Sequence, residues 1–251
     1  MSQIWYAAFS EDFVGQAQKI FKKLDKDVIV TVWDPELVPE MLRRGVSVIL
    51  GRGATALRIR KVVDLPVVEI PIPFEDMADT LIEASRYGRN IGVIGYNNLL
   101  SGLECLNPIL NVSIRQIFAV DADDTYHQIQ KLKDEGVDVI VGGLIQTRYA
   151  RELGLPAVRI ELTVKSLSYA CQEAEKLIAT VKAATRKAEE LKTILNTTNE
   201  KYIAVDIKGN ITWMNRVAKP YLPNPGGRVY DMPITEVFPA FEAVCDVLAT
   251  G

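Results

Sequence analysis

The segment Gly51-Arg52-Gly53-Ala54-Thr55 is the part of this chain best suited to hold a ligand. It follows the apolar run Val46–Leu50 and leads into a helical pattern. In open α/β sheets, ligands sit beyond the carboxyl ends of the strands. Glycines let backbone amides come close to a ligand. A helix N-terminus attracts anions through its free N–H groups and its dipole. Arg52 adds a forked donor matched to a carboxylate or phosphate. Thr55 either caps the helix or donates to the ligand. The competing interpretation is a plain strand–turn–helix with Arg52 in solvent. No Gly-Lys-Ser/Thr follows, so this is not a Walker loop and nothing here supports ATP hydrolysis.

A second glycine loop, Gly142-Gly143-Leu144-Ile145-Gln146-Thr147, has the same placement but no arginine at the matching position. Charge recognition across a cleft would therefore be one-sided. Ser10, Glu69 and Tyr96-Asn97-Asn98 end other apolar runs and are expected beside that cleft. Tyr96 and Asn97 could hydrogen-bond a ligand, although asparagine also serves turns. The expected ligand set is Arg52, Gly53, Ala54, Thr55, Ser10, Tyr96, Asn97, Gly142, Gly143 and Gln146.

Other chemistry is scarce. The one histidine, His127, lies in a polar helical stretch and reads as exposed. Asp121, Asp123 and Asp124 lack calcium-loop spacing and read as helix caps. Cys105, Cys171 and Cys245 lie far apart without a CxxC pair, which argues against a disulfide framework or a zinc site. No catalytic residue, metal or cofactor is expected. A two-cysteine racemase of doubled architecture would need a thiol at each strand end, where this chain has Gly51 and Gly142. A racemase, isomerase or chelatase on such a fold remains the enzymatic alternative. A dimerisation scaffold without a ligand is the other.

The elements that must position these loops alternate. Strands are expected at Ile4–Phe9, Val28–Val32, Val46–Leu50, Val67–Ile70, Ile91–Gly95, Val112–Phe118, Val137–Val141 and Ala157–Ile160. Most are continuous β-branched runs, as in parallel strands covered on both faces. Helical stretches such as Asp12–Leu24, Pro35–Arg44, Phe74–Tyr87 and Asp124–Glu135 lie between them. Alternation of this kind implies an α/β fold with parallel sheets.

The chain also repeats itself. GVSVILGRGATALRIRKVVDLPVVEI (Gly45–Ile70) aligns with GVDVIVGGLIQTRYARELGLPAVRI (Gly136–Ile160), with one residue gapped in the helix. Two similar α/β/α lobes meeting at a cleft are expected, over residues 1–88 and 89–162. Residues 163–198 read as one long helix, with apolar or small residues spaced mostly by three and four from Leu167 to Leu195. At 1.5 Å per residue it would run roughly 54 Å, so its distal half should project and could pair with a second copy. Residues 199–251 change style, with YIAVDIKGNITWMNRVA reading as strand, turn, strand and an Asn-led helix start. Leu222–Arg228 reads as loop.

Composition sets outer limits. Of 251 residues, 48% are hydrophobic and 24% charged, which excludes wholesale disorder. The net charge of −3 provides no basic field for nucleic acid. No apolar run reaches about 18 residues, so no membrane span or membrane partner is expected. MSQIWYAAFSEDF lacks the basic start of a signal peptide, and a cytoplasmic location is expected.

VILGRGATALRIRKVVDLPVVEI (Val48–Ile70), followed by DTLIEASRYGRNIGVIGYNNLLSGLECL (Asp79–Leu106), resembles the N-terminal sensor domain of the propionate-catabolism activator (PrpR) family. The likeness covers roughly Asp12–Thr198. Arg52-Gly53-Ala54-Thr55 is a near variant of the family's Arg-Gly-Gly-Thr, and Gly51 stands where the family usually has serine. The tail resembles the first half of a PAS domain through Asp206, Gly209, Ile211 and Asn215. The resemblance implies a chelatase-like doubled α/β fold and a small anionic effector. The best-known effector of the family is the tricarboxylate 2-methylcitrate. It also implies a sigma-54-dependent activator, in which an AAA+ ATPase and a helix-turn-helix domain follow. Sigma-54 RNA polymerase and DNA would be met only through those further domains. Homo-oligomerisation through the long helix and the PAS region is expected.

Overall fold

The computed structural model describes residues 3–96, 102–222 and 229–241. Asn97, Asn98, Cys245 and most of the expected loop after Leu222 lie outside the described residues. The chain divides into two units, Met1–Ile178 and Ala179–Gly251.

In the first unit, each apolar run is a strand followed by a helix. The elements are β1 (Ile4–Ala8), α1 (Glu11–Lys23), β2 (Ile29–Val32), α2 (Val38–Arg43), β3 (Val48–Gly51), α3 (Ala54–Val62), β4 (Val67–Glu69) and α4 (Phe74–Ala84). The series then repeats as β5 (Asn90–Gly95), α5 (Asn107–Leu110), β6 (Ser113–Phe118), α6 (Ala122–Asp134), β7 (Val139–Gly142), α7 (Leu144–Glu152), β8 (Ala157–Arg159) and the start of α8 (Val164–Thr197), which belongs to the second unit from Ala179. All eight expected strands form, with ends displaced by at most two residues. The expected helix Pro35–Arg44 splits into a 3-10 turn over Pro35–Leu37 and α2. There Asp34 accepts from the Glu36 amide, and Pro39 has no N–H to continue the turn.

The two sheets are parallel and four-stranded, in the orders β2-β1-β3-β4 and β6-β5-β7-β8. The orders are identical, as a duplicated two-lobe α/β fold requires. Alternate residues of β1 enter different layers. Ile4, Tyr6 and Ala8 join one core cluster, and Trp5 and Ala7 join another on the opposite face. Burial on both faces is the reason the central strands β1, β3 and β7 read as apolar runs.

The last helix of each lobe sequence is exchanged. Met77, Leu81 and Ala84 of α4 pack with Ile91, Val93, Val139 and Val141 of the second sheet. Leu167, Ala170, Cys171 and Ala174 of α8 pack with Ile4, Tyr6, Val48 and Leu50 of the first. The chain crosses between the sheets at residues 70–73 and again at 160–163. Ile70 and Leu162 lie in the first core, and Ile72 and Ile160 in the second. Two-residue alternation of an extended segment thus serves both lobes. The amides of Ile70 and Ile160 donate to Gly51 O (2.8 Å) and Gly142 O (2.9 Å), so the two crossings are built alike. Thr163 and Ser166 form a reciprocal cap on α8, each hydroxyl accepting from the other's amide at 3.0 Å. The Thr163 hydroxyl donates to Asp76 of α4 (2.6 Å), and Lys165 pairs with Glu75 (2.6 Å).

In the second unit, β9 (Ile203–Val205) and β10 (Ile211–Met214) form an antiparallel pair. Asp206 closes their turn by accepting from the amides of Lys208 and Asn210, with Gly209 at φ 80°. Buried Asn215 donates to the carbonyls of Leu195 and Glu200 and accepts from the amides of Tyr202 and Ala218. The expected Asn-led helix is one capped turn followed by a 3-10 turn over Lys219–Tyr221. Pro220 lacks the N–H that an α-helix would need there. Ile211, Met214, Val229 and α9 (Ile234–Val237) complete a small core. Among the described residues, no helix is long and apolar enough to cross a membrane.

Candidate functional site

In each sheet the strand order reverses beside the first strand of the lobe, between β1 and β3 and between β5 and β7. Loops diverge at such a switch point and leave a crevice beyond the carboxyl ends. The crevices of the two lobes face one another and form one cleft. Its walls are Tyr6 and Ala7 of β1 with Phe9 just after it, Arg52–Thr55 after β3, Ile94–Tyr96 at the end of β5, and Gly143–Gln146 after β7. Phe13 of α1 and Ile72 and Ile160 of the two crossings complete it. The cleft holds about 740 Å³ of free space, open solvent at its mouth included.

The Arg52 loop is the asymmetric feature. Helices α3 and α7 have the same length, and four residues separate each from the strand that follows. The one-residue difference between the repeats therefore lies in the loop before the helix, not in the helix as the sequence alignment placed it. Gly142 and Gly143 lead directly into α7, whereas Arg52 stands as an extra residue between Gly51 and Gly53. Accommodating it puts Gly53 at φ 50°, ψ −124°, a conformation suited only to glycine. The Thr55 amide closes the turn on Arg52 O at 3.1 Å.

The electrostatics follow from this placement. Among the described residues, the Arg52 side chain makes no hydrogen bond or ion pair. Burial lowers its pKa from the ordinary value, Tyr6, Glu161 and Asp76 oppose that shift, and Arg159 adds to it. Burial also pushes the Tyr6 hydroxyl up to about 12, with Arg52 pulling the other way. Helices α3 and α7 both begin without a side-chain cap, so first-turn amides other than that of Thr55 are open to another acceptor. The Tyr96 hydroxyl is buried with no hydrogen-bond partner among the described residues.

Seven of the ten expected ligand residues line the cleft: Arg52, Gly53, Ala54, Thr55, Tyr96, Gly143 and Gln146. Asn97 lies outside the described residues. Ser10 and Gly142 are not in the wall. Ser10 occupies the N-cap position of α1, its hydroxyl buried and unpartnered among the described residues. Gly142 supplies room instead of contact. A Cβ there would stand 2.5 Å from the Gln146 Cβ and 2.8 Å from Ile94 O. At Gly51 it would stand 3.0 Å from the Ala56 Cα. Neither strand end has space for the thiol that a racemase would need. Glu69, expected near the cleft, instead pairs with Arg60 of α3 at 3.1 Å. Sequence reasoning missed the apolar wall of Tyr6, Phe9, Phe13, Ile72, Leu144, Ile145 and Ile160. Only Leu144 and Ile145, inside a glycine loop, carried a local signal for it.

Comparison with known proteins agrees with this architecture. The family model described as propionate catabolism activator matches residues 34–184, more than half of the chain. The crystal structure of an NtrC-family transcriptional regulator from Clostridium acetobutylicum is similar at 24% identity and TM-score 0.60. The match covers 71% of this chain and 97% of that one, and shows a common fold. A LacI-family transcriptional regulator from Enterococcus faecium with bound ribose is 13% identical, with 61% and 72% coverage and a TM-score of 0.33, too distant to bear on this chain. With its doubled fold and a family match over most of the first unit, this chain belongs to the propionate-catabolism activator family and contains a regulatory sensor domain.

Proposed function

We propose that the cleft binds a small anionic metabolite and that lobe closure around it is the sensed event. The observation that carries this is Arg52, which has no hydrogen-bonding or ion-pairing partner among the described residues and lies beside two uncapped helix N-termini. Arg52 would pair a carboxylate or phosphate, with amides of Gly53, Ala54 and Gly143 completing the contact. Closure would act through the crossings at 70–73 and 160–163, since the second runs directly into α8. A ligand shifts the lobes only by its differential affinity for the open and closed states. By family likeness, the output passes through α8 and a PAS region to an AAA+ ATPase, which the empty sensor holds inactive.

Thermal denaturation with a panel of di- and tricarboxylates, phosphates and acyl-coenzyme A compounds tests the reading. A true ligand at 100 times its Kd stabilises the native state by about 2.7 kcal/mol. No shift with any anion would favour the scaffold alternative, and turnover of a ligand would favour an enzyme.

Oligomerisation rests on α8. Ala174, Val181, Ala188 and Leu195 recur every seven residues, interleaved with Leu177, Ala184 and Leu191. Ala174 and Leu177 are taken up by the first core, but from Val181 onward the spacing suits a coiled-coil seam with a second copy, and Val181 and Leu191 are more than half exposed. Light scattering at rising concentration should show a dimer. A monomer at the highest concentration would remove this part of the proposal.

A further inference from the structure

We infer that the N-terminal ends of α4 and α8 form a clamp that holds the two lobes at a set angle, with Asp76 as its main positioning residue. This rests on the lobe closure proposed above and not on the identity of the ligand.

The argument begins with the body to which each helix belongs. Through the helix exchange, α4 is built into the core of the second sheet and the start of α8 into the core of the first. A bond between these helices is therefore a bond between the lobes. Two such bonds form. The Thr163 hydroxyl donates to Asp76 at 2.6 Å, and Lys165 pairs with Glu75 at 2.6 Å. Glu75 and Lys165 follow Ile70 and Ile160 at the same spacing, so they are equivalent positions of the two repeats. Equivalent positions meet only close to the axis that relates the lobes. Like charges there would face one another and repel, and the chain carries one of each sign.

The two bonds differ in weight. Lys165 and Glu75 are 42% and 61% exposed, and an exposed ion pair shifts a two-state balance by about fivefold at most. The Thr163–Asp76 bond is part-buried with a carboxylate as acceptor, which makes it worth about 10- to 100-fold. Thr163 also caps α8 through the Ser166 amide, so Asp76 holds the start of that helix directly. Asp76 ties the clamp to the cleft as well. Its charge acts on Arg52, so an anion that neutralises Arg52 changes the field at the carboxylate that holds the α8 cap. Both bonds lie beside the crossings at 70–73 and 160–163, where a small separation becomes a larger one at the mouth of the cleft.

Double electron–electron resonance on the full 251-residue chain without ligand tests this. Spin labels go on Asp12→Cys in α1 of the first lobe and Asp123→Cys in α6 of the second, both exposed, with Cys105→Ser and Cys245→Ser. Cys171 stays, because it is fully buried. Labelled chain is diluted with unlabelled chain, so that distances within one molecule are read. Asp76→Ala should raise the ratio of widely to closely separated lobes about 10-fold or more. Asp76→Asn, which keeps an acceptor for Thr163, should fall between Asp76→Ala and the parent. Lys165→Glu should raise the ratio by about fivefold or less, and adding Glu75→Lys should restore the parent distribution. Loss of an acid from the first turn of α4 could lower stability through the helix dipole, but that alone would leave the distances as they are. Unchanged distances in Asp76→Ala would overturn the inference. Should that variant not fold, the exposed pair decides: unchanged distances in Lys165→Glu, or no restoration by Glu75→Lys, would overturn it. No anion is present, so failure here is separate from failure of the anion reading, which the thermal panel decides.

Discussion

Arg52→Ala should weaken the most stabilising anion probe by about 10- to 100-fold, the range for losing charge-assisted hydrogen bonds. The same substitution should leave the ligand-free chain as stable as before, or more stable. The two signs come from one cause. Burial lowers the Arg52 pKa, which means that the folded state disfavours its charge. Among the described residues no side chain bonds to it in return. A charge held in that way costs the empty protein and gains only when an anion arrives. Arg52→Lys should fall between the two, because an ammonium keeps the charge but loses the planar fork. Thermal denaturation without ligand and titration with ligand read the two effects separately. If Arg52→Ala lowers ligand-free stability as much as it lowers affinity, Arg52 is a structural residue and the anion site is misassigned.

The same residue marks where the sequence could and could not be read. The central strands, buried on both faces, lose the alternation that water imposes, so those runs and their parallel character were legible directly, and the edge strands followed from the alternation with helices. The duplication was legible because both loops keep the glycine that ends the strand, and both later turns keep Leu-Pro. The position of the gap was not. A helix tolerates a one-residue shift in an alignment at little cost in apparent similarity. The glycine at φ 50° that absorbs the insertion looks like any other glycine until its dihedrals are known. The apolar half of the cleft was hidden for a related reason. Phe9, Phe13 and Ile160 are core-type residues at strand and helix ends, and nothing local distinguishes a cleft wall from a core. The helix exchange was hidden because α4 and α8 carry equivalent apolar faces, and either would satisfy either sheet by pattern alone.

That exchange yields the largest expected stability effects. Leu81 and Leu167 are both fully buried, on α4 and α8 respectively. Truncating either to alanine should cost about 2–5 kcal/mol, the range for a buried leucine that leaves a cavity. Chain order would assign Leu81 to the first lobe, but its neighbours are Ile91, Val93, Val139 and Val141 of the second sheet. Leu167 follows the second lobe in sequence and packs on Ile4, Tyr6, Val48 and Leu50 of the first. Native-state hydrogen exchange separates the alternatives, because local opening reports the cooperative region that each side chain supports. Leu81→Ala should speed exchange most in β5 and β7, and Leu167→Ala most in β1 and β3. The opposite assignment would mean that each helix packs on its own lobe. Since each lobe lacks a core layer until the other's helix arrives, the first unit should also lose both lobes in one denaturant transition. The same arrangement leaves the crossings as the only covalent ties between the lobes, so a change of lobe angle can be taken up there without opening either core.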